Sequence, residues 1–566
     1  MRARPSVWNR DILKAGLVGA GLLVPYHWYL VRWETLGSVS IMLTYFTVFL
    51  ICLVATLAAA LCHSLICRIL FGFAFAASVL LVDSYQRVMD EPLHYASFVN
   101  LFETASFAGD ALEQFGGHIL MPVVAALLIG LGVLLPPLPR TYRYRATRFV
   151  PATAPFLAIA LLAGVVFKED GAGATGMPGT LVPGAYGAVL VTEKMLQLGK
   201  AREPVSLTRR PVRPDGDVIL IVDESIRGDY IDLAGGKVPT NLLDAEGNPT
   251  PGVYNFGRAA SAANCSAGTN IILRYGGTRR TYLRNIASMP TIWSYAKAAG
   301  YHTVYIDAQL TGGHLSNSMT KTDLKKIDEF IQFDRVPLRD RDQKIARIIV
   351  ERTQNDRPEF IIANKIGAHF PVNDKYPDSY MIYKPASPRG KLANVTRGDR
   401  RTGMPDWDLY KNAYRNTLLW NVGHFFDTIL SGANLDKSVM IYTSDHGQNF
   451  HEDGSPGFGT HCSQSPPPTE GIVAIAMLTK IPGISREAAE WSRINRGAMS
   501  HFEIFPTLLD LMAYDREAVR QTYGPSLFEQ ANDPQTFNAR FTELGGTPPH
   551  WVPINPVAPL LNAGLK

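Results

Sequence analysis

Hydrophobic positions are distributed unevenly along the chain. In the first 170 residues they form long uncharged blocks; from residue 216 they come as short bursts between polar stretches. A helix needs about 20 apolar residues to cross a bilayer. Residues 149–167 (FVPATAPFLAIALLAGVVF), 118–137 and 38–61 satisfy that length. Residues 12–31 read as a further span, with Lys14 near one end, where its ammonium can snorkel to the interface. Residues 68–83 are short, but Arg68 and Asp83 bracket an uninterrupted apolar run. The pattern predicts five spans.

Lys and Arg near span ends set the orientation. Arg2, Arg4, Arg10 and Lys14, then Arg68, then Arg140, Arg143, Arg145 and Arg148 all fall on one side of a five-span layout. That side is cytoplasmic, so everything after the fifth span lies outside; Arg32 is a single exception. The first span lacks a small-residue cleavage site and more spans follow at once, so it does not read as a cleaved signal. Between the third and fourth spans, Phe98, Phe102 and Phe107 recur at helical spacing. They predict an external helix near 92–115, lying on the lipid interface or packed against the rest of the protein.

Residues 168–215 are rich in Gly and Pro and read as a linker, with a helix near AVLVTEKMLQLGKA. Beyond it the period changes. VILIVDES, HTVYIDA, EFIIANKIG, SVMIYTSDHG and GIVAIAML are β-branched runs separated by helical stretches. Strands alternating with helices predict an α/β domain with a mostly parallel sheet, whose chemistry sits beyond the carboxyl ends of the strands. The expected layout is a membrane domain over 1–167, a linker over 168–215 and an external domain over 216–566.

Composition narrows the classes. Of 566 residues, 46% are hydrophobic and 19% charged, which excludes a disordered chain. The net charge of +5 forms no basic stripe, so no nucleic-acid partner is expected. Five cysteines are too few for a disulfide scaffold. Cys52, Cys62 and Cys67 belong to the apolar part, and only Cys265 and Cys462 to the external one.

Three of the predicted strands end in ionisable residues: Asp223-Glu224, Asp307 and Asp445-His446; a fourth is followed by His369. Two carboxylates and an imidazole suit zinc, and manganese less well. Gly447 lets the chain turn after Asp445-His446. The segment 262–269 (AANCSAGT) is small and polar and leads into a helix, where backbone N–H groups and the helix dipole favour an anion. A hydroxyl there needs activation, which a metal supplies.

In order along the chain, these elements resemble the membrane-bound phosphoethanolamine transferases of the alkaline phosphatase/sulfatase superfamily, over essentially the whole length. Glu224 in IVDESIRGDY matches the first acidic metal ligand, Thr269 the nucleophile, and Asp445 and His446 the last ligands. His369 in AHFPVNDKYP and His461 match histidines that face the phosphate. Asn412, Tyr414, Asn416 and Thr417 match the following helix, and His501 a later one. His314 falls near a basic phosphate contact. The resemblance implies one zinc ion or two, held by Glu224, Thr269, Asp445 and His446, with His369 and His461 stabilising the phosphoryl oxygens or holding a second zinc, one of them serving as proton carrier. It further implies a phospho-threonine on Thr269, formed from a phospholipid donor, phosphatidylethanolamine. The acceptor would be a hydroxyl or phosphate of lipid A, a core sugar or a glucan. The implied location is a bacterial inner membrane, multi-pass, with the catalytic domain in the periplasm.

The chain departs from the pattern in two ways. At most one external disulfide can form, and Cys265 with Cys462 would be either that bridge or two thiols. The Cys-Pro after the nucleophile is replaced by Ile-Leu-Arg. Two other readings use the same fold. One is phosphoglycerol transfer. The other is a sulfatase-like hydrolase using Cys265, although Ala267 and Thr269 stand where its motif has Pro and Arg. A scaffold with a degenerate site is the non-enzymatic alternative, and Ser266 is the next hydroxyl to consider after Thr269.

Overall fold

The computed structural model describes residues 9–103, 109, 112, 115–138, 149–169, 171–197, 202–211, 216–389, 406–541 and 548–555. The apolar third folds into helices α1 (Asn9–Leu23), α2 (Tyr26–Glu34), α3 (Val39–Ala60), α4 (Leu65–Met89), α5 (Tyr95–Glu103), α6 (Leu120–Leu134), α7 (Val150–Lys168) and α8 (Val182–Gln197). Three of these, α3, α4 and α7, are long and apolar enough to cross a membrane; α6 is a shorter apolar helix of 15 residues.

The expected first span is broken in two. Pro25 has no N–H to continue the bonding of α1, and a turn at Val24-Pro25 starts α2. The run 68–83 is the middle of the 25-residue α4, whose polar end carries Asp83 and Gln86 into buried positions. Lys14 does not snorkel. It is fully buried, and its Nζ donates to the carbonyls of Gly132 (2.7 Å), Val133 and Leu135 at the end of α6. Arg68 Nη1 donates to Leu134 O at 3.0 Å beside it. Two cations thus meet the negative end of one helix dipole. Of the other orientation residues, Arg10 is exposed in the first turn of α1, and Arg2, Arg4, Arg140, Arg143, Arg145 and Arg148 lie outside the described residues.

The start of the external helix, α5, packs against protein. Tyr95 Oη donates to Glu193 Oε2 on α8 at 2.6 Å, and Phe98 lies 5.5 Å from the Tyr186 ring. Phe102 is exposed, and Phe107 falls outside the described residues. The linker is likewise anchored: α8 buries Ala185, Tyr186 and Val189 among the membrane helices, and the Arg202 guanidinium stacks 4.1 Å from the Tyr275 ring.

The external domain is built on eight strands: β1 (Asp217–Asp223), β2 (Val253–Ala260), β3 (His302–Asp307), β4 (Glu329–Gln332), β5 (Glu359–Asn364), β6 (Ser438–Ser444), β7 (Ile472–Thr479) and β8 (Met499–Ser500). Their order is β4-β3-β5-β1-β6-β7-β2-β8, and β7 alone runs against the others. The expected mostly parallel sheet is therefore present. Central β1 sends Val218, Leu220 and Val222 into one core and Ile219 and Ile221 into the other, so helices cover both faces.

Candidate metal centre and nucleophile

The register at the centre of the sheet builds the site. Asp223 on β1 pairs with Ser444 on β6, so the next residues, Glu224 and Asp445, leave the sheet side by side. Asp445 N donates to Asp223 O at 2.8 Å and extends the ladder by one rung. Ser225, at φ 60°, then turns its N–H back onto Asp445 Oδ1 (2.8 Å), and His446 N reaches the same oxygen at 2.7 Å. Asp445 Oδ2 is buried with no hydrogen-bond partner among the described residues.

His446 Nδ1 bonds the Gly447 carbonyl at 2.7 Å, so that nitrogen carries the proton and Nε2 presents its lone pair. Nε2 lies 3.5 Å from Glu224 Oε1 and 3.7 Å from Asp445 Oδ2. Glu224, Asp445 and His446 each offer a ligand atom within 4.8 Å of the others, and all three are buried. An orphaned carboxylate oxygen facing a lone-pair nitrogen and a second carboxylate is an arrangement that a divalent cation completes. Gly447 is needed for close approach rather than for an unusual turn: a Cβ there would lie 2.1 Å from Thr469 O.

The hydroxyl at this cluster is that of Ser266. It opens helix α9 (Ser266–Tyr275), after Cys265 in extended conformation as the N-cap. Ser266 Oγ donates to Glu224 Oε1 at 3.1 Å and lies 3.1 Å from His446 Nε2. Thr269, expected here, is one turn further in. Its hydroxyl bonds Ala263 N and Ala263 O, both at 3.2 Å, and its N–H closes the helix onto Cys265 O. The placement is corrected accordingly: Thr269 ties down the approach to the helix, because only the first residue of α9 reaches the strand ends.

His461 stacks on His446 with ring centroids 4.6 Å apart. His369 follows β5, bonding Phe370 O through Nδ1 at 2.7 Å. His314 is exposed in the loop after β3; the side chain of that loop that meets the cluster is Gln309, whose amide donates to Glu224 Oε2 at 2.8 Å. Cys265 and Cys462 form a disulfide, which joins the N-cap of α9 to the loop of His461.

Burial governs the charges. Desolvation, then the charge of Asp445, pushes the Glu224 carboxyl up to about 7, and desolvation pushes Asp445 up to about 6. The same effect lowers His369 to about 4 and His461 well below the usual imidazole value, so both are neutral at neutral pH.

Supporting residues surround the cluster, some of them (Tyr414, Asn416, Thr417 and His501) singled out by the sequence and others, such as Lys365 and Glu91, not. Lys365 Nζ, wholly buried, donates to Asp223 Oδ2 and Asn421 O, both at 2.6 Å. His501 accepts from Ala262 N at Nδ1 (3.1 Å) and bonds Thr443 Oγ1 through Nε2 (2.9 Å), linking β6 to the approach to α9. Tyr414 holds the loop after Glu224 through Arg227 N and Ser225 O. Asn416 receives Ile382 N and Tyr383 N, and Thr417 caps Val372 O. From the membrane side, Glu91 accepts Gln464 N, two residues past Cys462, at 2.9 Å.

Among known proteins, two relatives share the chain's sequence at low identity. It is 23% identical over 323 residues to the Kdo(2)-lipid A phosphoethanolamine 7''-transferase of Salmonella typhimurium, covering 53% of this chain and 52% of that protein. The Escherichia coli protein of the same name is 21% identical over 326 residues, with the same coverage. The chain thus spans about half the length of the curated relatives it matches. A solved integral membrane protein, lipooligosaccharide phosphoethanolamine transferase A from Neisseria meningitidis, superposes with a TM-score of 0.63 at 17% identity, over 91% of this chain and 99% of that one. It shares the fold, membrane helices included. The sulfatase family model matches residues 216–514, more than half of the chain and every strand of the sheet, and the chain belongs to the sulfatase family.

Proposed function

We propose that this protein transfers phosphoethanolamine from phosphatidylethanolamine to a hydroxyl or phosphate of an envelope glycolipid such as lipid A, through a covalent phospho-enzyme on Ser266. The observation that carries the reading is the position of Ser266 Oγ, 3.1 Å from both Glu224 Oε1 and His446 Nε2, at the start of a helix. The named relatives add the substrate class. The membrane domain is read as five spans over 1–167, with 168–215 as linker and 216–566 as a periplasmic catalytic domain in a bacterial inner membrane.

Glu224, Asp445 and His446 would hold one zinc ion, whose charge lowers the pKa of a hydroxyl and offsets negative charge on phosphoryl oxygens. Ser266 Oγ forms the new bond to phosphorus, and the bond from phosphorus to the diacylglycerol oxygen breaks. The first-turn amides of α9 receive the phosphoryl oxygens. The proton leaving Ser266 passes to the diacylglycerol alkoxide through a neutral imidazole. His461 suits this, since its Nδ1 is engaged by Thr460 Oγ1 at 3.1 Å and Nε2 remains for the exchange. His369, also neutral, takes the proton of the acceptor hydroxyl as that oxygen bonds phosphorus and the bond from phosphorus to Ser266 Oγ breaks, and the proton then passes to the leaving Ser266 Oγ, which restores the serine.

The test is the full-length protein in vesicles of phosphatidylethanolamine with lipid A. Mass spectrometry is expected to find phosphoethanolamine on the acceptor and phosphate on the peptide containing Ser266. Phosphoglycerol on the acceptor, or hydrolysis without transfer, would replace this reading.

A further inference from the structure

The membrane domain holds a second polar site, away from the cluster at the strand ends. Asp83 lies on α4 six residues before its end at Met89, and Tyr45 lies on α3 six residues after its start at Val39. At about 1.5 Å per residue, both sit about 9 Å inside the helix ends. Those ends adjoin the external domain, since Val88 O accepts the N–H of Phe458 at 2.8 Å.

Asp83 is 5% exposed, and among the described residues neither of its carboxylate oxygens has a hydrogen-bond partner. Arg87, one turn on, is exposed; its charge is within electrostatic reach of the carboxylate, but it makes no hydrogen bond to it. The Tyr29 hydroxyl, also buried and unpartnered, lies within electrostatic reach of the carboxylate. Its ring packs edge-on to Phe49, with centroids 5.1 Å apart. The turn after α7 packs beside these groups: Tyr45 Oη donates to Gly176 O at 2.6 Å, a Cβ on Gly176 would stand 2.5 Å from Arg32 Cβ, and one on Gly179 would stand 3.6 Å from Asp83 Oδ1.

A buried carboxylate that no donor satisfies is costly at membrane depth, so a fold that keeps one leaves room for a donor to arrive. The partner must carry positive charge and hydrogen-bond donors, and it must arrive from the outer leaflet. Aromatic faces beside a carboxylate favour an ammonium. We propose that Asp83, with Tyr29, docks the primary ammonium of a phospholipid headgroup. Taking that lipid as the donor rests on the proposed transfer; the site itself does not.

The experiment measures lipid retention and transfer separately. The full-length Ser266→Ala protein, which does not turn over, is offered equal amounts of phosphatidylethanolamine, phosphatidylcholine and phosphatidylglycerol. Native mass spectrometry then counts the lipids that remain bound. Phosphatidylethanolamine is expected to be retained about tenfold over phosphatidylglycerol, a ratio worth 1.4 kcal/mol. The quaternary headgroup should fall between, because it has charge but no donor. Asp83→Asn should abolish the preference, and Tyr29→Phe, which keeps the ring, should reduce it; the second variant decides if the first does not fold. Equal retention of all three lipids, or a preference untouched in Tyr29→Phe, overturns the site. In Asp83→Asn on the Ser266 background, the KM for phosphatidylethanolamine should rise; transfer with an unchanged KM also overturns it, while leaving the proposed function standing. A preference that survives in a wild-type protein unable to transfer the headgroup supports the site and overturns the donor reading.

Discussion

Ser266 Oγ and His446 Nε2 stand 3.1 Å apart, and the Gly447 carbonyl, holding the other ring nitrogen at 2.7 Å, fixes which face of the imidazole the hydroxyl meets. A serine at the first position of a helix also sits where backbone N–H groups lack partners. Nucleophile, ligand cluster and anion-binding turn therefore converge because α9 begins beside the ends of β1 and β6.

This separates two hydroxyls one turn apart. Ser266→Ala should lower transfer by about a thousandfold or more, the scale seen when a nucleophile is removed. Thr269→Val should stay within about tenfold of wild type. It loses two bonds to Ala263, at a cost of about 1–2 kcal/mol in stability. Counting headgroups transferred, alongside thermal unfolding of both variants, checks the assignment. The reverse pattern would return the role to Thr269.

Much of the scaffold was legible because burial on both faces leaves unbroken β-branched runs, as in β1, β5 and β6. The direction of β7 was not, since IVAIAMLT reads alike either way. β2 escaped notice because Asn255, Gly257 and Arg258 interrupt it; a bulge between Asn255 and Gly257 accommodates them. β4 and β8, of four and two residues, are too short to carry a period. At the site, strand-end Glu224, Asp445 and His446 were visible as charges following apolar runs. The choice between Ser266 and Thr269 turned on where α9 begins, and both lie in the same small, polar segment. Gln309 could not be found, because a neutral amide in a loop is marked by nothing except the carboxylate it meets.

Metal binding should be acid-labile. Glu224 and Asp445 are held at about 7 and about 6, above the usual carboxylate range, and each must lose its proton to bind a cation. Protons therefore compete increasingly as pH falls through 7 and then 6. Zinc measured by elemental analysis after dialysis should be near one per chain at about pH 8 and largely lost at about pH 5.5. Asp445→Asn should lose it at both. Zinc retained equally at both pH values would refute the ligand set.

Lys365 bears on stability more than on chemistry. Its ammonium is fully buried, 2.6 Å from Asp223 Oδ2, 3.9 Å from Asp342 Oδ2 and 4.0 Å from the centre of the Phe425 ring. Lys365→Met removes the cation between two buried carboxylates and leaves Asp223 without its ion-pair partner, which should cost about 3–5 kcal/mol. Adding Asp223→Asn should recover part of that loss, because it removes the stranded charge. Chemical denaturation of the single and double variants measures both. A single variant as stable as wild type would mean that the pair is not charged.

The disulfide should act on stability and on the site to different degrees. It joins residues 197 apart, so loop closure in the unfolded chain allows at most about 5 kcal/mol. Beside it, Cys462 N donates to Asn264 O at 3.0 Å, and the Asn264 amide reaches Ser463 O at 2.9 Å and Glu470 Oε2 at 2.8 Å. These bonds hold the same two segments together without the bridge. Replacing both cysteines by serine should therefore lower unfolding stability by about 2–5 kcal/mol. Transfer by the folded fraction should fall only modestly, since Ser266 and His461 keep their polar tethers. Asn264→Ala in that background should remove most of the remaining activity and cost about a further 1–3 kcal/mol, because it takes the Asn264 donor from the buried Glu470 carboxyl and from Ser463 O. Loss of all transfer on replacing the cysteines alone, in protein shown to be folded, would make the bridge itself the element that positions Ser266.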